Sequence, residues 1–170
     1  MKKFVRLAVA GSAMIASMAL ATSANAAATA TADAKAEILS TLTVAARSGS
    51  ALDFGQIAVN GAGTAVVAAS GARTCSATLV CVGTATPVVF DVSGTPGASI
   101  AVTLPTGTAT LTGVSTAATM SLGSFTQYFP NGNTLVAGTT SFQVGGTLTV
   151  GATQAADVYN GTFQVSVEYN

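Results

Sequence analysis

The residues able to do chemistry are few. The chain of 170 residues contains no histidine and no tryptophan. Without imidazole there is no Ser-His-Asp triad, no Cys-His pair and no imidazole metal ligand. Six carboxylates remain. Asp53 and Asp91 each fall inside an expected strand, opposite in parity to the apolar residues around them. A carboxylate pair can support glycoside hydrolysis, but this parity sends both to solvent or to a turn. Thr95-Pro96-Gly97 and Asn131-Gly132-Asn133 have the look of ion-holding loops. Calcium needs about six to eight oxygens, several of them carboxylate, and no local cluster supplies them, so both read as turns. No glycine-rich phosphate loop stands between a strand and a helix. Tyr128, Phe129 and Tyr159 suit a sugar-binding surface, but packing accounts for them equally well. The inventory predicts a non-enzymatic protein with no metal and no cofactor.

The two cysteines, Cys75 and Cys81, have five residues between them. A metal site needs more ligands than two thiols, and a redox pair is usually CxxC. In an exported chain an even pair most simply closes one disulfide. So small a loop contributes about 2 kcal/mol on the chain-entropy model.

Export is expected from the first residues. Lys2, Lys3 and Arg6 precede an apolar run from Leu7 to Ala21, and Ala24-Asn25-Ala26 supplies the small-x-small cleavage pattern. This is the layout of a secretory signal peptide over residues 1–26. The run is short for a span of about 20 apolar residues, so no membrane span is expected after cleavage. The remainder keeps Lys35, Arg47 and Arg73 against six acidic residues, a net of −3. Nothing there resembles the basic patch of a nucleic-acid binder or a membrane-surface helix.

The 144 residues that remain suit one domain with a sizeable core. Residues 27–33 carry no large apolar group and read as a flexible arm. From Ala34 to Ala46 apolar residues fall on one parity (Ala36, Ile38, Leu42, Val44), and a strand is expected. Further strands are expected at 52–59, 64–69, 86–93, 98–104, 108–112, 119–128, 134–136, 140–144 and 147–150, with turns at Asn60-Gly61 and at the Gly-, Pro- and Asn-rich joints. The clearest strand is the last, where Tyr159, Gly161, Phe163, Val165, Val167 and Tyr169 alternate with polar residues. No helix is demanded after residue 26. Short strands punctuated this often indicate an all-β sandwich or barrel over residues 34–170.

AKAEILSTLTV, LDFGQIAVNGAG, GARTCSATLVCVGTATPVVFDVSGTPGASIAVTLP and YNGTFQVSVEYN together resemble the exported bacterial proteins defined by a DUF4402 domain. In organisation these are similar to fimbrial subunits and spore-coat-U-like secreted proteins, which implies a single antiparallel β-sandwich of immunoglobulin-like or pilin-like type over residues 34–170. The resemblance implies a cell-surface or extracellular location, with passage through the periplasm. It also implies partners: other copies or fimbrial subunits, a periplasmic chaperone and an outer-membrane usher. Chaperone–usher pilins carry an alternating terminal strand with a penultimate Tyr, matched here by Phe163, Val165, Val167 and Tyr169. They favour a Gly fourteen places from the end, where this chain has Asp157.

Two functions stand at this stage. One is a structural subunit in which Ala36, Ile38, Leu42 and Val44 insert into a neighbour's groove beside its C-terminal strand by β-strand addition. In the other, residues 34–46 complete their own domain, and the chain is a secreted monomeric module that binds carbohydrate or a surface component through its loops.

Overall fold

A computed structural model describes residues 27–170, so the signal peptide expected over residues 1–26, with Ala24 and Ala26, lies outside the described residues. The chain divides into two units at Ala36/Glu37. The described part of the first, residues 27–36, is exposed and has no regular structure.

The second unit is all-β. Its strands are β1 (Thr43–Ala46), β2 (Gln56–Val59), β3 (Gly63–Val67), β4 (Arg73–Cys75), β5 (Leu79–Val82), β6 (Val88–Ser93), β7 (Ile100–Thr103), β8 (Ala109–Gly113), β9 (Thr119–Tyr128), β10 (Thr139–Val150), β11 (Tyr159–Asn160) and β12 (Ser166–Tyr169). All pair antiparallel. The main sheet runs β1-β6-β10-β9-β8-β11, with β3 and β4 joined to it through β10. β12 pairs with β7, and β2 with β5, as two further ribbons. The result is a sandwich, as the strand pattern predicts.

β10 organises it. Residues Thr139–Val144 pair with β6, and Gly146–Val150 pair with β3 on the same flank, while β9 runs along the other. The sequence leads us to expect two strands here, separated by turns at the glycines. The structure has one strand of 12 residues. Gly145 does not end it; it marks where β10 changes partner and the chain at Val67–Ala69 crosses against its backbone. An alternating strand needs no turn when its glycine is a crossing point.

The core lies in two connected parts. Phe54, Ala65, Val67, Leu79, Leu122, Leu148 and Val150 form one. Val88, Val92, Ile100, Leu135, Phe142 and Val144 form the other. Leu52, Phe125 and Phe163 pack against both. Phe163 lies 4.7 Å from Phe125 and 6.3 Å from Phe90, ring to ring. Each fully buried large side chain contributes about 1.5–3 kcal/mol, so this apolar seam is what the sparse surface charge encloses.

Asn60-Gly61 reads as a hairpin turn, but the strands on either side pair elsewhere, β2 with β5 and β3 with β4 and β10. Cys75 and Cys81 do form a disulfide, which ties β4 to β5. Arg73 reinforces the same corner, donating to the carbonyls of Phe54, Val82 and Gly83.

Candidate functional site

The two segments on which the functional expectation rests are both redrawn by the fold. The strand expected over 34–46 forms only at its end. Thr43–Ala46 pairs with Phe90–Ser93 of the same chain, and Leu42 packs into the second part of the core. Leu42 and Val44, expected as residues donated to a neighbour, are therefore built into their own sandwich. The segment from Glu37 to Leu42 is not a strand, and Ile38 is 95% exposed. Ala36 is exposed as well.

The final segment keeps its alternation but not its continuity. Tyr159–Asn160 pairs with β8 in the main sheet, whereas Ser166–Tyr169 pairs with β7 in the other layer. The chain changes layers between them. Gly161 permits this because a Cβ there would stand 2.5 Å from the Thr110 carbonyl oxygen. Phe163, Val165, Val167 and Tyr169 then face the second part of the core, in the expected parity. Tyr159 is half-buried; its hydroxyl donates to the Ala155 carbonyl (2.7 Å) and accepts from Gln154 (2.7 Å).

Hydrogen-bond parity shows which edges are open. Asn170 N–H donates to the Ser99 carbonyl. In an antiparallel ladder alternate residues bond to the partner, so in the observed register Ser166 and Glu168 point at β7. The N–H and C=O groups of Val167 and Tyr169 point the other way. They have no backbone partner among the described residues. The same argument applies to β1. Arg47 N–H donates to Val89 C=O, so Val44 and Ala46 turn their backbone groups from β6 to the free edge. β1 and β12 are neighbours in space, yet no ladder joins them. Within the chain, the N-terminal segment does not pair with the C-terminal strand.

A side-chain clasp joins them instead. Thr95 N–H donates to the Tyr169 hydroxyl (2.8 Å), and that hydroxyl donates to the Ser40 carbonyl (2.8 Å). Ser40 N–H in turn donates to Thr95 Oγ1 (2.6 Å). A shallow groove of about 490 Å³ between Leu39, Pro96 and Tyr169 adjoins this clasp. Parity gives Tyr169 an apolar place in a strand and no sign that its hydroxyl is what holds Ser40.

Among the described residues no three His, Cys, Asp or Glu side chains converge on a point. Asp53 accepts from Gly55 N–H and lies in an isolated bridge to Thr86, whereas Asp91 is ion-paired with Arg47. The two carboxylates are thus engaged separately.

A family model described as a domain of unknown function, DUF4402, matches residues 42–169. The chain belongs to the DUF4402 family. Searches of curated proteins and of solved structures returned no match. The DUF4402 match begins at Leu42, the residue at which the chain enters its core, and leaves Ile38 and Ser40 outside it.

One further carboxylate of the DUF4402 domain is structural. Asp157 accepts from Thr116 Oγ1 (2.7 Å), Thr116 N–H (2.7 Å), Ser115 N–H (2.8 Å) and Val158 N–H (2.8 Å). The Thr116 hydroxyl and backbone amide, with the Ser115 and Val158 amides, hold its pKa down to about 2. Its folded pKa is below its unfolded value, so the stabilisation it gives is complete above about pH 4 and is lost as pH falls towards 2. Acid titration followed by amide NMR is expected to release the Ser115 and Thr116 amides in that window, and Asp157→Asn is expected to remove the transition. Persistence of the transition in Asp157→Asn would assign it to another group.

Proposed function

We propose that this chain is a non-enzymatic, exported structural protein, a fimbria-like cell-surface subunit that assembles by β-strand addition. The observation that carries the reading is the open edge of β12, where the backbone groups of Val167 and Tyr169 have no partner among the described residues. An antiparallel edge with free N–H and C=O groups is a template for another chain. Edges are usually protected by charge, and β12 carries only Glu168.

The donor proposed is the segment preceding Ser40. It is exposed, it includes Ala36 and the fully presented Ile38, and it is not consumed by its own sandwich as Leu42 and Val44 are. Residues 27–39 can span at most about 45 Å when extended, enough to reach across to a neighbouring copy. Passage through the periplasm, with a chaperone covering the same edge until assembly, follows from this reading.

The test is the size of the chain beginning at Ala27, purified under oxidising conditions, against a version beginning at Ser40. A concentration-dependent ladder of oligomers is expected for the longer form and a monomer for the shorter. A monomer in both, with cooperative folding in both, would discard strand addition.

A further inference from the structure

The outward face of the main sheet next to β1 has a chemistry that strand addition does not use. Side chains that share a face line up across paired strands. The observed registers place Thr43, Ser93 and Thr139 in one row and Ala45, Asp91 and Ser141 in the next. A third row holds Val89, Gln143 and Tyr128, with Arg47 at its β1 end. The first two rows and Arg47 line an open cleft of about 700 Å³, and Val89, Gln143 and Tyr128 continue the same face beyond it.

One wall of the cleft is the turn before β10. It brings Asn131 and Val136 to the rim, and Val136 is 68% exposed. Ala137 holds this turn with a positive φ of 52°, a conformation costly for a residue with a Cβ. Backbone strain of this kind collects where a side chain must be presented in a fixed place.

The charge in the cleft is balanced. Arg47 Nε donates to Asp91 Oδ2 (3.0 Å) and Nη2 to Oδ1 (2.6 Å), a planar two-point pair. Each group satisfies the other's charge while remaining half exposed, so each keeps hydrogen-bonding positions facing outward. An anionic ligand would find no free cation there, and a metal ion no free carboxylate. The remaining groups of the cleft are hydroxyls, the Asn131 carboxamide and a small apolar wall at Val136, and the same face continues past it to Gln143 and the exposed ring of Tyr128. Arg47 to Tyr128 spans three strand spacings, roughly 14 Å. That is the length of a short run of linked sugar rings.

We propose that this face is a binding site for a neutral glycan. The Arg47–Asp91 pair and Ser141 hydrogen-bond its hydroxyls, Gln143 and Asn131 flank it, and Tyr128 stacks under a ring at the far end. Ring CH faces pack on aromatic side chains while vicinal hydroxyls match planar, two-point polar groups. The site is independent of the β12 edge, and its test therefore uses the monomeric version beginning at Ser40 alongside the chain beginning at Ala27.

The probes are soluble glucan, mannan, galactan and N-acetylglucosamine oligomers, titrated by calorimetry up to about 10 mM, with sulfated counterparts beside them. At least one neutral oligomer is expected to bind with Kd near 1 mM or below. Amide shifts are expected at Asp91, Ser141 and Gln143. Asp91→Ala and Ser141→Trp are each expected to weaken it about tenfold or more, with Thr149→Ala, outside the cleft, unchanged. Melting temperatures close to that of the parent separate loss of the site from loss of the fold, since exposed ion pairs contribute little to stability. The proposal is overturned if no neutral oligomer binds, if binding survives both cleft variants, or if sulfated forms bind more tightly than neutral ones. Failure of this site leaves strand addition untouched, because the two are read by different measurements.

Discussion

Gly145→Val is expected to leave no cooperatively folded protein, and Gly145→Ala to cost about 3 kcal/mol or more, beyond the usual range for overpacking. A Cβ at residue 145 would collide with the Val67 carbonyl oxygen, and would stand 2.5 Å from the Ala69 nitrogen and 2.6 Å from the Ala68 carbonyl carbon. All three are backbone atoms, so no side chain can swing aside to make room. Relief requires moving the chain at 67–69, which continues from β3, or breaking β10 where it passes from β6 to β3. Either movement opens the joint between the two parts of the core. A domain whose total stability is about 5–15 kcal/mol cannot absorb much of this. Gly107→Ala serves as the control, because a Cβ there meets nothing within 4 Å. Urea unfolding gives the measurement. A Gly145→Ala variant within about 1 kcal/mol of the parent would show that the two backbones do not cross so closely.

That same glycine shows where the fold is legible in the sequence and where it is not. Alternation in β6, β9 and the final segment is a local property, and it identifies both the strand class and the inward residues Phe163, Val165 and Val167 correctly. The pairing of those strands is not local. Gly145 and Gly146 look like a turn because glycine usually marks one. Here the requirement comes from a strand about 80 residues away in sequence, at Val67, and nothing near Gly145 announces it. The division of the final segment between two layers has the same cause, since the Thr110 carbonyl that excludes a side chain at Gly161 lies on β8. For the candidate sites, the Cys75–Cys81 bridge could be read from count and spacing. The Arg47–Asp91 pair left only a trace, a carboxylate inside one apolar strand and a cation just past the end of another. The Tyr169 clasp on Ser40 left none, because a hydroxyl at the end of an apolar ring does not alter the parity of its residue.

Two prolines placed next to each other on β12 are expected to behave oppositely. Glu168→Pro removes an N–H that the register directs at Ala101 of β7. It breaks the two-stranded ribbon and is expected to cost about 3 kcal/mol or more. Val167→Pro removes an N–H that points to the open edge and has no backbone partner among the described residues, so the internal ladder remains. Proline is tolerated on strand edges for this reason. Its cost is confined to part of the half-buried Val167 packing, on the order of 1–2 kcal/mol. If a neighbour's chain adds to β12, that N–H is one of the few bonds available to it. Val167→Pro is then expected to abolish the oligomer ladder of the chain beginning at Ala27, although the variant melts only a few degrees below the parent. Glu168→Pro would also lose oligomers, but through unfolding, visible in its melt. A Val167→Pro protein that still assembles would move the acceptor away from β12. The free edge of β1, where Val44 and Ala46 turn their backbone groups outward, would then be the edge to block, and Ala46→Pro tests it by the same logic.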